Sequence, residues 1–185
     1  MAYVLGTFPS AVMVARTRGV DILTQGSGNP GASNVARVLG SRWGALVFFL
    51  DALKGAIPAL AGLAVDSRPG AYVLVSAAVL GHMFPATRRF RGGKGVATMG
   101  GAMFVLHPLT SLVLLAVWLT VRTTTGKASL ASLAITIGLP IGLTVTDSPG
   151  WEIVYVVALC LLVLARHVDN IKRLLARREL SAHNP

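Results

Sequence analysis

The stretch WGALVFFLDALKGAIPALAGLAV, residues 43–65, decides the fold, because in all that length only Asp51 and Lys54 are charged. A run of about 20 apolar residues is what a helix needs to cross a hydrocarbon core of about 30 Å, and only a helix or a closed barrel satisfies its own backbone there. The same character recurs on both sides. Of the 185 residues 54% are hydrophobic and 13% charged, and the mean hydropathy is +0.67, which excludes an ordinary soluble domain. Further apolar segments lie near 1–15, 70–87, 95–107, 109–121, 129–146 and 150–165. The chain therefore reads as an all-α integral membrane protein, a single transmembrane domain over 1–185 forming a compact bundle of about seven transmembrane helices. The segment 1–15 is broken by Gly6 and Pro9, lacks a basic start and runs into Arg16 and Arg18, so it reads as a first span and not as a cleaved signal.

Charge orients the bundle. Seven alternating spans put fifteen of the seventeen Lys and Arg on one side, around 16–42, 88–94, 122–127 and 166–178, with Arg68 opposite beside Asp66, with Asp147 and Glu152 marking the other far-side loop, and with Lys54 inside a span. By the positive-inside rule that side is cytoplasmic, which places the N-terminus outside and the C-terminus in the cytoplasm. Fusing the segments around Pro108 into one broken span would scatter the charges over both faces. The net charge of +10 is spread through short membrane loops without an aromatic platform, so nucleic acid is not an expected partner. Cys160 stands alone, so no intrachain disulfide and no cysteine metal site is expected.

Four polar constellations fall on or near the cytoplasmic side. The first is GSGNPGASNVARVLG, residues 26–40. Its glycines let backbone N–H groups converge on an oxyanion, Ser27, Asn29, Ser33 and Asn34 add side-chain donors, and Arg37 adds a bidentate charge. A flexible hairpin would use the same residue types. The second is Asp51 and Lys54, three apart on one helix face, where a self-neutralising pair and a lysine reaching for an anion are both consistent with the spacing. The third is GHMFPATRRFRGGKGVAT, residues 81–98, in which His82 ends a span and Gly92, Gly93, Lys94 and Gly95 open the next helix. It lacks the GxxxxGK[ST] spacing of a Walker A loop. The fourth is ARHVDNIKRLLARREL, residues 165–180, where His167 and Asn170 share a face and an amphipathic continuation follows. His107, before Pro108, reads as an interfacial residue of the far side, and His183 as part of a polar tail. No His, Cys, Asp or Glu cluster suggests a metal, and no cofactor motif is present.

Together and in this order, the constellations resemble the signatures of the PlsY family of bacterial acyl-phosphate:glycerol-3-phosphate acyltransferases: GSGNxGATNxxR, DxxKG, GHxFPxxxxFxGGKGVAT and RHxxNIxRLLxGxE. The matching residues are 26–37, 51–55, 81–98 and 166–179. Ser33 stands where threonine is usual, and Arg177 where glycine usually supplies a left-handed cap. The resemblance implies transfer of a fatty acyl group from acyl phosphate to the 1-hydroxyl of sn-glycerol 3-phosphate, giving lysophosphatidic acid and phosphate during phospholipid synthesis. It implies a multi-pass protein of the bacterial inner membrane with its site on the cytoplasmic face, membrane lipid around it and an acyl-phosphate-forming enzyme as partner.

Against that chemistry, His167, Asn170, Lys94 and Arg37 are the candidate catalytic residues. Ser27, Gly28, Asn29, Gly31, Ser33, Asn34, Lys54, His82, Gly92, Gly93 and Gly95 are the candidates for holding substrate and phosphate. No GxSxG elbow and no HxxxxD pair is present, so a covalent acyl-enzyme is not required. The proton of the attacking hydroxyl could go to His167 held by Asn170, to His82, or to a substrate phosphate. A small transporter of an organic phosphate is the other class considered, since it too needs an intramembrane Lys–Asp pair and glycine loops.

Overall fold

The computed structural model describes residues 1–181. His183 lies outside the described residues. All of the regular structure described is helical. Contacts divide the chain into two compact units, one from Met1 to Val105 and one from Leu106 onward.

The first unit opens with α1 (Ala2–Gly6) and α2 (Ser10–Arg16), so the expected first span is two short helices parted at Thr7–Pro9. Pro9 has no N–H to continue the α1 ladder, which is why the break falls there. After an irregular stretch come α3 (Ala32–Leu39) and α4 (Ser41–Ala64), separated by Gly40 at φ 96°. α5 (Arg68–Met83) starts where the Ser67 hydroxyl accepts from the Gly70 N–H at 3.0 Å. A short 3₁₀ turn (Ala86–Arg88) and α6 (Val96–Leu106) follow.

Glycines set how closely these helices approach. A Cβ on Gly55 would overlap the Thr98 carbonyl, and one on Gly101 the Ala52 carbonyl, so α4 and α6 meet backbone to backbone at two levels. Gly6 lies on Ala78 and Gly81 on Tyr3 in the same way, joining α1 to α5. The glycine of the DxxKG motif is thus a packing residue. Large apolar side chains point outward instead: Phe48, Phe49, Ile57 and Leu60 of α4 are all exposed, as suits a surface whose solvent is lipid.

The second unit holds α7 (Pro108–Thr125), α8 (Ala128–Val145), α9 (Gly150–Ala165) and α10 (Val168–Leu175). Pro108 at the start of α7 has no N–H to leave unpaired, and Gly126 ends the helix with a left-handed cap whose N–H bonds the Arg122 carbonyl at 2.9 Å. Trp118 donates its indole N–H to Ser132 at 3.3 Å, tying α7 to α8. His107 and Glu152 form a buried pair, Nε2 to Oε2, at 2.9 Å. Glu152 is therefore not a loop acid of the far side but the paired first-turn residue of α9.

By length and composition four helical stretches could cross a membrane: Ser41–Ala64, Arg68–Arg88, Pro108–Thr125 and Ala128–Val145. Gly150–Ala165 with Val168–Leu175, bent by 59°, makes a fifth. The remaining segments expected as spans, 1–15 and 95–107, are shorter helices: eleven residues of α6 rise about 16 Å, roughly half a hydrocarbon core.

Candidate active site

Asn34 organises the glycine loop. Its side chain is 2% exposed and uses all of its hydrogen-bonding capacity: the amide donates to the carbonyls of Ile22 (3.3 Å) and Gln25 (3.0 Å). Its oxygen accepts from the Ser27 N–H (2.8 Å) and from Arg37 Nη1 (3.2 Å). Gly26 has φ 58°, and a Cβ there would overlap the Asn34 oxygen, so glycine is required by both conformation and space. The Ser27 hydroxyl in turn accepts from the Asn29 N–H at 3.4 Å. Asn34 therefore shapes the loop, with Ser27 and Ser33 exposed beside it and Arg37 part-exposed one turn on. Gly28, Asn29 and Gly31 are part-exposed around them. The sequence singled out Asn34 as a phosphate donor, and the contacts place it one layer further in.

Asp51 and Lys54 lie where α1 breaks from α2. Lys54 Nζ donates to Asp51 Oδ1 at 2.6 Å and to the Phe8 carbonyl at 2.6 Å, and it stands 5.9 Å from the centre of the Phe8 ring. Ser10 donates its hydroxyl to the same Asp51 oxygen at 2.9 Å, and His82 Nδ1 is 3.8 Å from it. Lys54 is 3% exposed. The pair thus satisfies the polar groups of a broken helix in apolar surroundings, where nothing else would. Ser10 was absent from the residues singled out by sequence; its signal is a hydroxyl directly after Pro9 in an apolar segment.

The GGKG loop folds back on the end of α5. Gly93 donates its N–H to the His82 carbonyl at 3.1 Å. A Cβ on Gly92 would overlap the His82 and Met83 carbonyls, one on Gly93 the His82 ring, and one on Gly95, at φ 84°, the Met83 side chain. Gly92, Gly93 and Gly95 are all buried, while Lys94 between them is part-exposed. The glycines let the loop close on His82.

In the second unit, His167 sits at the bend between α9 and α10, 2% exposed, with Nδ1 2.8 Å from the Val163 carbonyl. A carbonyl can only accept, so Nδ1 carries a proton and in the neutral ring Nε2 is the acceptor. Asn170, on the next turn, donates to Glu179 Oε1 at 2.7 Å, and Arg173 donates to Glu179 Oε2 at 2.9 Å. Burial would raise the Glu179 carboxyl, but the hydrogen bonds from Asn170 and Arg173 and the Arg173 charge help to outweigh it, and it lies below its ordinary value. Glu179 is a second residue that is not among the sequence candidates, although the fourth motif ends on it.

Arg177 has φ 54°, the left-handed conformation glycine would supply. Its N–H bonds the Leu174 carbonyl at 3.0 Å and the Arg178 N–H bonds the Arg173 carbonyl at 2.8 Å, so the cap forms in full without glycine. The turn that results carries Glu179 back to Asn170.

Apolar helices of membrane length joined by glycine-containing polar loops define a helical integral membrane protein. Comparison with known proteins names the chemistry. The profile of the family described as Glycerol-3-phosphate acyltransferase matches residues 1–177. A glycerol-3-phosphate acyltransferase of Aquifex aeolicus (strain VF5) is 42% identical over 184 residues, covering 96% of this chain and 94% of its own. One from Shewanella halifaxensis (strain HAW-EB4) is 43% identical over 180, covering 96% and 89%. The crystal structure of PlsY (YgiH), an integral membrane glycerol 3-phosphate acyltransferase in its glycerol 3-phosphate form, superposes with a TM-score of 0.91 at 42% identity, over 97% of this chain and 91% of that one. The lysophosphatidic acid form gives a TM-score of 0.88. The chain belongs to the glycerol-3-phosphate acyltransferase family and is an acyltransferase, which decides between the enzyme and the transporter.

Proposed function

We propose that the protein transfers a fatty acyl group from acyl phosphate to the 1-hydroxyl of sn-glycerol 3-phosphate at the cytoplasmic face of a bacterial inner membrane. The observation that carries this reading is the 97% coverage by a structure described in glycerol 3-phosphate and lysophosphatidic acid forms, an acceptor and its acylated product. The acyl-phosphate donor is the reading that the charged loops support. The first unit offers two separate basic loops, at Arg37 and at Lys94, which suits two phosphate-bearing substrates. An acyl phosphate is activated already, so positioning and charge neutralisation meet most of the demand.

In this reading the Ser27–Arg37 loop and Lys94 hold the two phosphates and the spans guide the acyl tail. The hydroxyl oxygen forms a bond to the acyl carbon, the bond from that carbon to the phosphate oxygen breaks, and phosphate leaves with the electron pair. The hydroxyl proton goes either to His167 Nε2, which the Val163 carbonyl orients as an acceptor, or to a phosphate oxygen of the substrate. Asn170 and Glu179 hold the turn that carries His167. Lys54 enters through the charge of its buried pair. An acyl-phosphate-forming enzyme supplies the donor.

The test is lysophosphatidic acid formation by the purified protein with glycerol 3-phosphate and either palmitoyl phosphate or palmitoyl-CoA, beside Lys94→Ala. Product from the phosphate donor alone, lost in Lys94→Ala, supports the reading, and product only from the thioester overturns the donor. His167→Ala assayed at saturating substrate then separates the two proton acceptors, since unchanged turnover removes His167.

A further inference from the structure

Arg88 closes the 3₁₀ turn after α5, and the chain around it forms a compact loop. The N–H groups of Arg88 and Phe90 both bond the Pro85 carbonyl at 3.0 Å, Arg91 bonds back to Arg88 at 3.0 Å, and Gly93 to His82 at 3.1 Å. Arg89 and Phe90 both take left-handed conformations, φ 51° and 60°, so two side-chain-bearing residues are strained where the loop turns. Within it, Nε and Nη1 of Arg88 are buried and have no hydrogen-bond partner among the described residues. Buried guanidinium donors are ordinarily paired.

Asp51 does not supply the partner. Its charge reaches Arg88, but no bond joins them, and Asp51 Oδ1 is taken by Ser10 and Lys54. Arg88 and Lys54 also repel each other electrostatically. Two cations beside one carboxylate leave an excess of positive charge in a loop that lies between His82 and Lys94 in the chain. The residue as a whole is part-exposed.

We propose that Arg88 is a further phosphate-binding residue of this site, its guanidinium donating hydrogen bonds to the phosphoryl oxygens of glycerol 3-phosphate or of the acyl donor. The inference rests on the phosphate-substrate reading above. A planar guanidinium with several fixed donors suits a tetrahedral oxyanion better than it suits one shared carboxylate.

The experiment uses the full chain in detergent, with Arg88→Gln and Arg88→Lys. Inorganic phosphate, against chloride at equal ionic strength, should raise the unfolding midpoint of the wild type, and Arg88→Gln should lose most of that rise. In turnover, Arg88→Gln should raise the KM of one substrate by about tenfold with kcat nearly unchanged, and Arg88→Lys should recover part of it. The substrate whose KM moves identifies the phosphate bound. If Arg88→Gln only lowers the midpoint while the phosphate response and both KM values match the wild type, Arg88 is a counter-charge for Asp51 and the proposal falls. Should Arg88→Gln not fold, Arg88→Met, which keeps the length of the side chain without its charge, makes the same comparison, and wild-type KM values and phosphate response in it overturn the proposal equally. A wild type that responds to phosphate through Arg88 but forms no lysophosphatidic acid would refute the functional reading and not this one.

Discussion

Arg177 closes α10 in a conformation that glycine adopts freely, and its replacement should strengthen the protein. With φ at 54° it occupies the left-handed position of a completed cap. A residue with a Cβ lies about 1–2 kcal/mol above its right-handed state there. Glycine escapes that strain but gives up about 0.5–1 kcal/mol more backbone entropy on folding. The difference predicts that Arg177→Gly stabilises the turn by about 0.5–1 kcal/mol. The Arg177 side chain is exposed, so little else changes. Amide hydrogen exchange at Arg178 is the assay, because its N–H crosses the turn to the Arg173 carbonyl at 2.8 Å. Exchange should slow roughly two- to fivefold in Arg177→Gly and stay near wild type in Arg177→Ala, which keeps a Cβ. Equal slowing in both variants, or none in the glycine variant, would refute the conformational argument.

Lys54→Met should lower stability by about 3–5 kcal/mol, since it leaves Asp51 buried and unpaired; the unfolding midpoint in detergent measures it, and adding Asp51→Asn should recover part of the loss. Gly93→Ala drives a methyl into the His82 ring and should cost about 2 kcal/mol or more, whereas Gly100→Ala, with open space around it, should be nearly neutral; similar midpoints for the two would contradict the packing described. Glu179 sits below its ordinary value of 4.5, so its contribution is complete above that pH and is lost as the pH falls through the lowered value. Acid should therefore lower the protection of the turn's amides relative to their intrinsic exchange at each pH in the wild type, and in Glu179→Gln that protection should be low already at neutral pH with no further acid step.

What was legible in the sequence was local. The spacing of Asp51 and Lys54 placed them on one helix face, and they meet at 2.6 Å. The glycine expected at position 177 was read as a left-handed cap, and Arg177 takes that conformation. The seven apolar segments all coincide with helices, although 1–15 is split and 95–107 is short. Partners far along the chain were not legible, because neither period nor propensity encodes them. Asn34 reads as a donor facing outward until the carbonyls of Ile22 and Gln25 are seen to take its amide. Gly92 and Gly93 read as an anion cradle, and the sequence gives no sign that the His82 and Met83 carbonyls lie against the first and the His82 ring against the second. Glu152 reads as a loop acid until His107, 45 residues earlier, is found against it.

The bond between Lys54 and the Phe8 carbonyl joins residues 46 apart in the chain, and that separation bears on how the protein is made. When α1 and α2 enter the bilayer, the lysine that completes their break and the carboxylate that accepts the Ser10 hydroxyl still await synthesis. The opening segment settles only once α4 has been delivered beside it, so biogenesis has a built-in order, with the fourth helix acting as the keystone of the first two.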